Sequence, residues 1–551
     1  MAFKPNAVQQ INMEDALLNL PPRVKKFVEK SWSAGFSEII FPQINEKRFA
    51  VLYSDNPATR PNTPVNAIIG ALIIKELFSL TDEDLLESIL CDVRFQVALR
   101  TTSFKEQPFS DRTFSRFRER LYYHELNTGE DLLKEEMVDL AEAFRKYLNI
   151  EPTLKRMDSL MVASGSKKMS RLEILYTCVA NLVKQLHKNG ETTLVQPLQT
   201  YLKEEHRNQI IYHQRHEDLD QRLNAVIQDA KHLMDLVPVI SQQTEAYHHL
   251  VRVMEEQTHT DDTGTTIAKP KKDISTQSMQ NPSDPDATFR WKSGQNHKGY
   301  VAHVVETTGK EGSMITAYEY QPNTHSDNEF CRKTIEEMGP QKEKTTLVAD
   351  GAYASTENTL MAEANNIDLV TTSLLGKAPN EVQAHFKLDT ENHKVLKCPA
   401  GKKPYKTCYY QQTGIYRASF TLSACQDCPL RNQCGMKPQK KSNYVMITEK
   451  TVQRAEYLQK YSLPKYQELA RIRNGVEGIP SVLRRKHHVD QMPVRGYLRS
   501  KMWFGFKITA INVKRVLKKV RQDRFLPDIL TNIQDIWETM FSTQHFVRLW
   551  A

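Results

Sequence analysis

The stretch "TTLVADGAYAS", residues 345–355, runs from a short apolar segment straight into an Asp-Gly pair. Leu347, Val348 and Ala349 read as a buried strand, and Asp350 with Gly351 closes it. A carboxylate is expelled from a core unless something compensates its charge. Asp-Gly is also ordinary turn chemistry, so the stretch alone admits two readings. One is a plain turn. The other is a metal-binding carboxylate at the C-terminal end of a strand, where α/β sheets place their sites. The surrounding chain decides between them.

Working outward, "GYVAHVVET" (299–307) and "SMITAYEYQ" (313–321) alternate as adjacent strands joined through "TGKEG". "NEFCRKTIEEMG" reads as a helix before the quoted strand. After it "TENTLMAEANN" reads as a helix and "IDLVTTS" as a strand. Far upstream, "TLKRMDSLMVAS" (153–164) is short and apolar around a single Asp158. With Asp158 on a first strand the order is strand, strand, strand, helix, strand, helix, strand. That order predicts a mixed α/β core, with a large insertion after its first strand.

The insertion reads as helical over 168–256, where Leu172, Leu175, Val179, Leu182, Val183 and Leu186 form one stripe. It ends in a polar stretch, 257–287, expected to be a long or flexible loop. A second insertion, 377–450, is rich in Lys, Cys and Tyr, and helix returns from 451. Residues 1–150 read as helical. "PVNAIIGALIIKELF" is broken at Ser79-Leu80-Thr81-Asp82, with Thr81 as cap of the next helix. In "FSDRTFSRFRERL", with Ser110 or Asp111 as cap, Phe114, Phe117 and Leu121 form an apolar stripe. Arg112, Arg116 and Arg120 form a basic one at i, i+4, i+8, open to DNA contact or to plain solvation.

Bulk properties fit this picture. The 551 residues suffice for about three to four domains. A net charge of +9 is compatible with nucleic acid without requiring it. The start "MAFKPNAVQQINMED" has no apolar leader segment. The longest apolar run, "AIIGALIIKELF" (67–78), is too short for a bilayer and contains Lys75 and Glu76. A cytoplasmic protein without membrane association is the expectation. Eight cysteines in so long a chain do not suggest a disulfide scaffold.

Three acidic residues stand out by position. Asp158 and Asp350 lie on strands. Glu477 lies in a helical stretch, with Arg473 four residues before it, Arg484 and Arg485 after it, and Glu468 as a rival carboxylate. Oxygen ligands of this kind suit hard divalent cations. Two such ions about 3.5–4 Å apart activate a water or a 3′-hydroxyl and stabilise the leaving oxygen in phosphoryl transfer.

With these residues in order the sequence resembles the DDE transposases of bacterial insertion sequences, most nearly the group usually numbered eleven-eighty-two. "RPNTPVNAIIGALIIKELFSLTDEDLLESILCDVRFQVAL" followed by "FSDRTFSRFRERL" is similar to that group's helical N-terminal domain. "MDSLMVAS" and "LVADGAYAS" resemble its two Asp strands. "RNGVEGIPSVLRRKHHVDQMPVRGYLRSKMWFGFKITAINVKRV" resembles its Glu region and is the longest match. The resemblance implies a ribonuclease H-like catalytic core made of 151–167, 287–376 and 451–525. It would follow a DNA-binding helical domain (1–150), carry the insertions 168–286 and 377–450, and end in a helical tail (526–551). It further implies that Asp158, Asp350 and Glu477 hold two Mg2+ ions, replaceable by Mn2+, and that Arg473 and Arg484 position DNA phosphates. A homodimer would join two transposon ends to target DNA. Ala470 stands where relatives carry a Tyr, a departure that touches one DNA-backbone contact and not the metal site. Two other readings stay open: a nuclease of the same fold without strand transfer, and a non-catalytic DNA-binding derivative.

The cysteines crowd into one region. Cys425 and Cys428 form a CxxC, the spacing at which two thiolates share a zinc ion. Cys434 follows, and either Cys398 or Cys408 completes a structural set, resembling a zinc-ribbon-like insertion of the same group. At the C-terminal end Lys501, Lys507, Lys514, Arg515, Lys518, Lys519 and Arg521 supply positive charge for phosphates. Trp503, Phe504 and Phe506 among them read as core, because Ile508, Ile511, Val516 and Val520 continue an apolar helix face.

Overall fold

The computed structural model describes residues 1–6, 15–212, 218–292, 294–353, 355–372 and 376–543, the last twenty by backbone alone. The tail expected over 526–551 therefore lies partly outside the described residues. In chain order the principal elements are helices α1 (Val65–Phe78), α2 (Asp82–Cys91), α3 (Thr113–Thr128) and α4 (Leu132–Tyr147), then strand β1 (Leu154–Ala163). Helices α5 (Arg171–Lys188), α6 (Leu219–Leu236) and α7 (Glu245–Gln257) precede strands β2 (Thr288–Lys292), β3 (Gln295–Gly309) and β4 (Gly312–Pro322). Next come α8 (Asp327–Met338), β5 (Thr345–Ala349), α9 (Thr356–Ala364) and β6 (Ile367–Thr371). Strands β7 (Lys406–Tyr410), β8 (Ile415–Phe420) and β9 (Asn443–Ile447) are followed by α10 (Glu449–Tyr461), α11 (Pro464–Asn474), α12 (Gly478–His487) and α13 (Tyr497–Thr543).

The chain forms two compact units. One comprises Met1–Glu151, Ser159–Ser326 and the chain from Ile479; the other comprises Pro152–Asp158 and Asp327–Gly478. In the first, α1 is apolar nearly all round, and Ile69, Ile73 and Ile74 are fully buried. Such a helix belongs inside, and it packs against α13. There Phe504, Phe506, Ile508 and Val516 are buried as their spacing predicts. α1 ends at Ser79 in the left-handed region (φ 57°), and Thr81 opens α2 with a reciprocal capping box to Asp84. α3 buries Phe114, Phe117 and Leu121. Neither Ser110 nor Asp111 caps it: the helix starts at Thr113, whose hydroxyl bonds that of Ser110.

The helices α5 to α7 share one apolar core that includes Leu175, Val179, Leu182, Ile227, Leu233 and Val253. The polar stretch 257–287 is tied down rather than loose. Thr258–Thr260 and Thr266–Ala268 form a short hairpin. Asp284 is buried and accepts hydrogen bonds from the Tyr300 hydroxyl (2.5 Å), the Gly496 amide (3.0 Å) and the Ser164 hydroxyl. β2, β3 and β4 are antiparallel, with Thr288 opposite Gly299 and Val301 opposite Gln321. The end of β1 lies beside β3, where the Ser164 amide bonds the Lys298 carbonyl. Gly299, at φ 143°, has the β1 backbone against it, and any side chain there would overlap it.

In the second unit β1 starts parallel to β5, and β5 is parallel to β6. Their face is covered by α11, through a core of Val348, Val370 and Leu469 with Leu154, Tyr466 and Ile472 against it. The Cys-rich stretch 377–450 is not merely a basic loop. β7, β8 and β9 form an antiparallel sheet around Phe386, Val395, Tyr416, Phe420 and Val445. Strand β1 thus belongs to a parallel set in one unit and to antiparallel company in the other, which makes the chain a mixed α/β protein with a helical N-terminal region.

Candidate active site

The register of β1 on β5 brings the two aspartates level. Leu154, Lys155 and Arg156 stand opposite Thr346, Leu347 and Val348. Two residues past the last pair on each chain come Asp158 and Asp350. Side chains two apart share a face, and neighbouring strands lie about 4.8 Å apart. Both carboxylates therefore leave the same side of the parallel set where β5 ends. Asp350 closes its strand by accepting the Gly351 amide (2.5 Å), and a short helical turn over Gly351–Tyr353 follows. The buried Asn358 pins that turn, donating to the Tyr353 carbonyl (3.0 Å).

Glu477 reaches the same neighbourhood by another route. It lies, as expected, in a helical stretch: a single 3-10 turn, Gly475–Glu477, joins α11 to α12 without a break. Arg473, on the last turn of α11, joins it to the strand: Nη1 pairs with Glu477 (2.5 Å) and Nη2 with Asp158 (3.3 Å). Its side chain is 12% exposed, Asp158 is 16% exposed and Glu477 58%. Arg473 Nε is buried and has no partner among the described residues. The rival Glu468 points to solvent and pairs with Arg471.

A residue that sequence reasoning missed holds this arrangement. Arg156, two positions before Asp158 and so on its face, donates to the Ile472 carbonyl at the end of α11 (2.5 Å). Its guanidinium lies against Gly475, where a Cβ would sit 2.8 Å from Arg156 Cζ and closer still to a guanidinium nitrogen. The alternation of "LKRMD" carried the shared face. The 316-residue separation hid the partner.

The other expected site residues have their own settings. Arg112 and Arg116 are exposed on α3. Arg120 instead packs over the Tyr53 ring (4.6 Å). Arg118, unremarked in the sequence, pairs with Asp82 and covers Trp503 (4.6 Å). Arg484 pairs with Asp490 (3.2 Å) and donates to the Met161 carbonyl (3.0 Å), and Arg485 is exposed.

Cys398, Cys425, Cys428 and Cys434 line one cavity of about 20 Å3. Burial raises the thiols of Cys425 and Cys434, and the neighbouring thiols add to it. Cys408 sits on β7 opposite Arg417, away from that lining. Of the two cysteines expected to complete the set, Cys398 shares the lining and Cys408 does not. As placed, no three His, Cys, Asp or Glu groups among the described residues are arranged to hold a metal ion. No helix among them is long and apolar enough to cross a membrane.

Two family models match the chain. Residues 397–517, which include Glu477, Arg473 and the cysteines, match a transposase DDE domain. Residues 26–120, which include α1, α2 and the arginines of α3, match a transposase domain (DUF772). Two stretches of the chain are thus similar to transposase domains, one of them a DDE domain. Asp158 and Asp350 lie outside both matched stretches. No curated protein and no solved structure matches the chain.

Proposed function

We propose that the chain is a transposase that binds the inverted ends of its element, cleaves a phosphodiester at each end and joins the freed 3′-hydroxyl to target DNA. Asp158, Asp350 and Glu477 are the catalytic carboxylates of a ribonuclease H-like core. The observation that carries this reading is the level placement of Asp158 and Asp350 on parallel strands, with Glu477 tied to Asp158 through Arg473. The donor set fits hard divalent cations, being all carboxylate oxygen, and a guanidinium already bridges two of the three carboxylates. Mg2+, or Mn2+ in its place, would supply activation of the attacking oxygen and stabilisation of the leaving one.

The chain's own residues do the rest. The β1–β5 register fixes the distance between two carboxylates. Arg156 fixes the turn that carries the third. Arg473 holds Glu477 near Asp158 through its two terminal nitrogens. Arg484, Arg485, Arg112 and Arg116 add contacts to the DNA backbone. A homodimer brings two ends together. Cys398, Cys425, Cys428 and Cys434, which line one small cavity, are the residues that would hold a structural zinc ion.

The test is cleavage of DNA bearing the element's ends. Asp158→Asn, Asp350→Asn and Glu477→Gln should each abolish Mg2+-dependent cutting and leave end binding intact, since each removes a metal ligand and no phosphate contact. Near-parental cutting by any one of them shows that carboxylate to be misassigned. A pre-cut end with a 3′-hydroxyl and a target plasmid separates strand transfer from simple hydrolysis. Metal-dependent nicking of any kind excludes a non-catalytic derivative.

A further inference from the structure

A groove of about 400 Å3 begins at Gly351, the residue after Asp350, and runs between α9 and α10. α10 forms one wall with Lys450, Arg454, Tyr457 and Lys460, spaced so that they share a helix face. The opposite wall includes Thr359, whose hydroxyl donates back to the Ser355 carbonyl (2.9 Å). Lys450 and Lys460 are exposed. Arg454 is half-buried and donates to the Lys377 carbonyl (3.1 Å). The Lys460 ammonium stands 5.4 Å from the centre of the Tyr457 ring. Two carboxylates, Glu363 and Glu456, also border the groove, but both are exposed and solvated. Cations along a concave strip are donors to phosphodiester oxygens. An open strip that starts beside a strand-end carboxylate suits an extended polyanion better than a compact metabolite.

We propose that this groove seats the phosphodiester backbone of the DNA engaged at the carboxylate site, with Lys450 and Lys460 as positioning residues on its phosphates. The inference rests on the reading of Asp350 as an active-site ligand, but its test does not need catalysis. The full-length chain is titrated with a short duplex of random sequence, without metal, over a series of salt concentrations. Each lost phosphate contact lowers the slope of log K against log salt by about 0.9, so Lys450→Ala/Lys460→Ala should lower it by about 1.8. Lys450→Arg/Lys460→Arg should keep the parental slope. Lys184→Ala/Lys188→Ala, on exposed positions of α5, removes the same charge elsewhere and should leave the slope unchanged.

A parental slope in the Lys450/Lys460 alanine variant overturns the proposal. So does an equal fall in the α5 variant, which would mean that the effect is net charge alone. Asp350→Asn separates the two readings. If that variant still cuts DNA, the carboxylate assignment fails, while the salt slopes judge the groove independently.

Discussion

Gly475→Ala tests the packing that holds Glu477. Gly475 is helical (φ −63°) and does not need glycine for its backbone, so on conformation alone alanine should gain about 1 kcal/mol. The obstacle is Arg156. A Cβ at 475 would overlap its guanidinium, with Cζ only 2.8 Å away. The arginine would have to swing out and give up its hydrogen bond to the Ile472 carbonyl. A hydrogen bond from a charged group contributes about 1.5–3 kcal/mol. The expected net loss is therefore about 0.5–2 kcal/mol. The turn bearing Glu477 would also shift on the strand bearing Asp158, and a misplacement of about 1 Å costs on the order of a hundredfold in rate.

Gly478→Ala is the matched control, since its Cβ would meet nothing within 4 Å. The assay is chemical denaturation together with Mg2+-dependent nicking of both variants. A double-mutant cycle adds the cause: in an Arg156→Ala background, Gly475→Ala should cost nothing. If Gly475→Ala is as stable and active as Gly478→Ala, or if its cost persists without Arg156, the packing account is wrong.

Other outcomes are expected elsewhere in the chain. Arg112→Ala/Arg116→Ala should lower the salt slope of DNA binding by about 0.9 per contact. Arg120→Ala, which removes a cation packed over Tyr53, should instead lower stability by about 0.5–1 kcal/mol; a parental slope in the Arg112/Arg116 variant would mark α3 as a solvated face. His487 is 3% exposed, and burial, reinforced by Lys507 and Lys514, lowers its pKa to about 4. The unfolded imidazole binds its proton near pH 6.5, so this contribution is present above about pH 6.5 and is lost as pH falls towards 4, by up to about 3 kcal/mol. His487→Gln should flatten the dependence of the denaturation midpoint over that window, and an unchanged dependence would count against the assignment. Zinc should co-purify in one equivalent, and chelation or Cys428→Ser should expose 398–434 to protease while the strands around Asp350 stay folded. Metal-free protein whose five cysteines in this region all react with a thiol reagent would refute it.

The strands around Asp350 were legible because alternation and Asp-Gly punctuation are local signals. The helices α1, α5 and α13 were legible because their apolar spacing is long. Asp158 and Asp350 could be picked out, since an acid ending or interrupting an apolar strand is conspicuous. β2 was not legible. Its "TFRWK" carries two cations, and it stands as a strand through its pairing with β3 and through Arg290, which donates to the Asn323 and His325 carbonyls. In the Cys-rich stretch the alternation of Ile415–Phe420 was present, but Tyr416 and Ala418 are not emphatic core residues until β9 covers them. The helical setting of Glu477 was legible from the composition on both sides, and only its tightening to a 3-10 turn at Gly475–Glu477 was not. Arg156 and Arg473 act across more than 300 residues, a distance over which no periodicity speaks.

The pairing of β1 with β5 also bears on how the protein is made. At a synthesis rate of about 5–20 residues per second, β1 leaves the ribosome roughly 10–40 s before β5 can pair with it, because about 190 residues separate Asp158 from Asp350. The turn with Glu477 emerges later still. For that interval the nascent chain has its N-terminal helices in hand but lacks a complete set of carboxylates. Fragments released early, or chains stopped by a premature codon anywhere before residue 477, would be unable to cut DNA. If these three carboxylates do the cutting, the order of the elements along the chain acts as a safeguard: the proposed transposase is armed only near the end of its own translation.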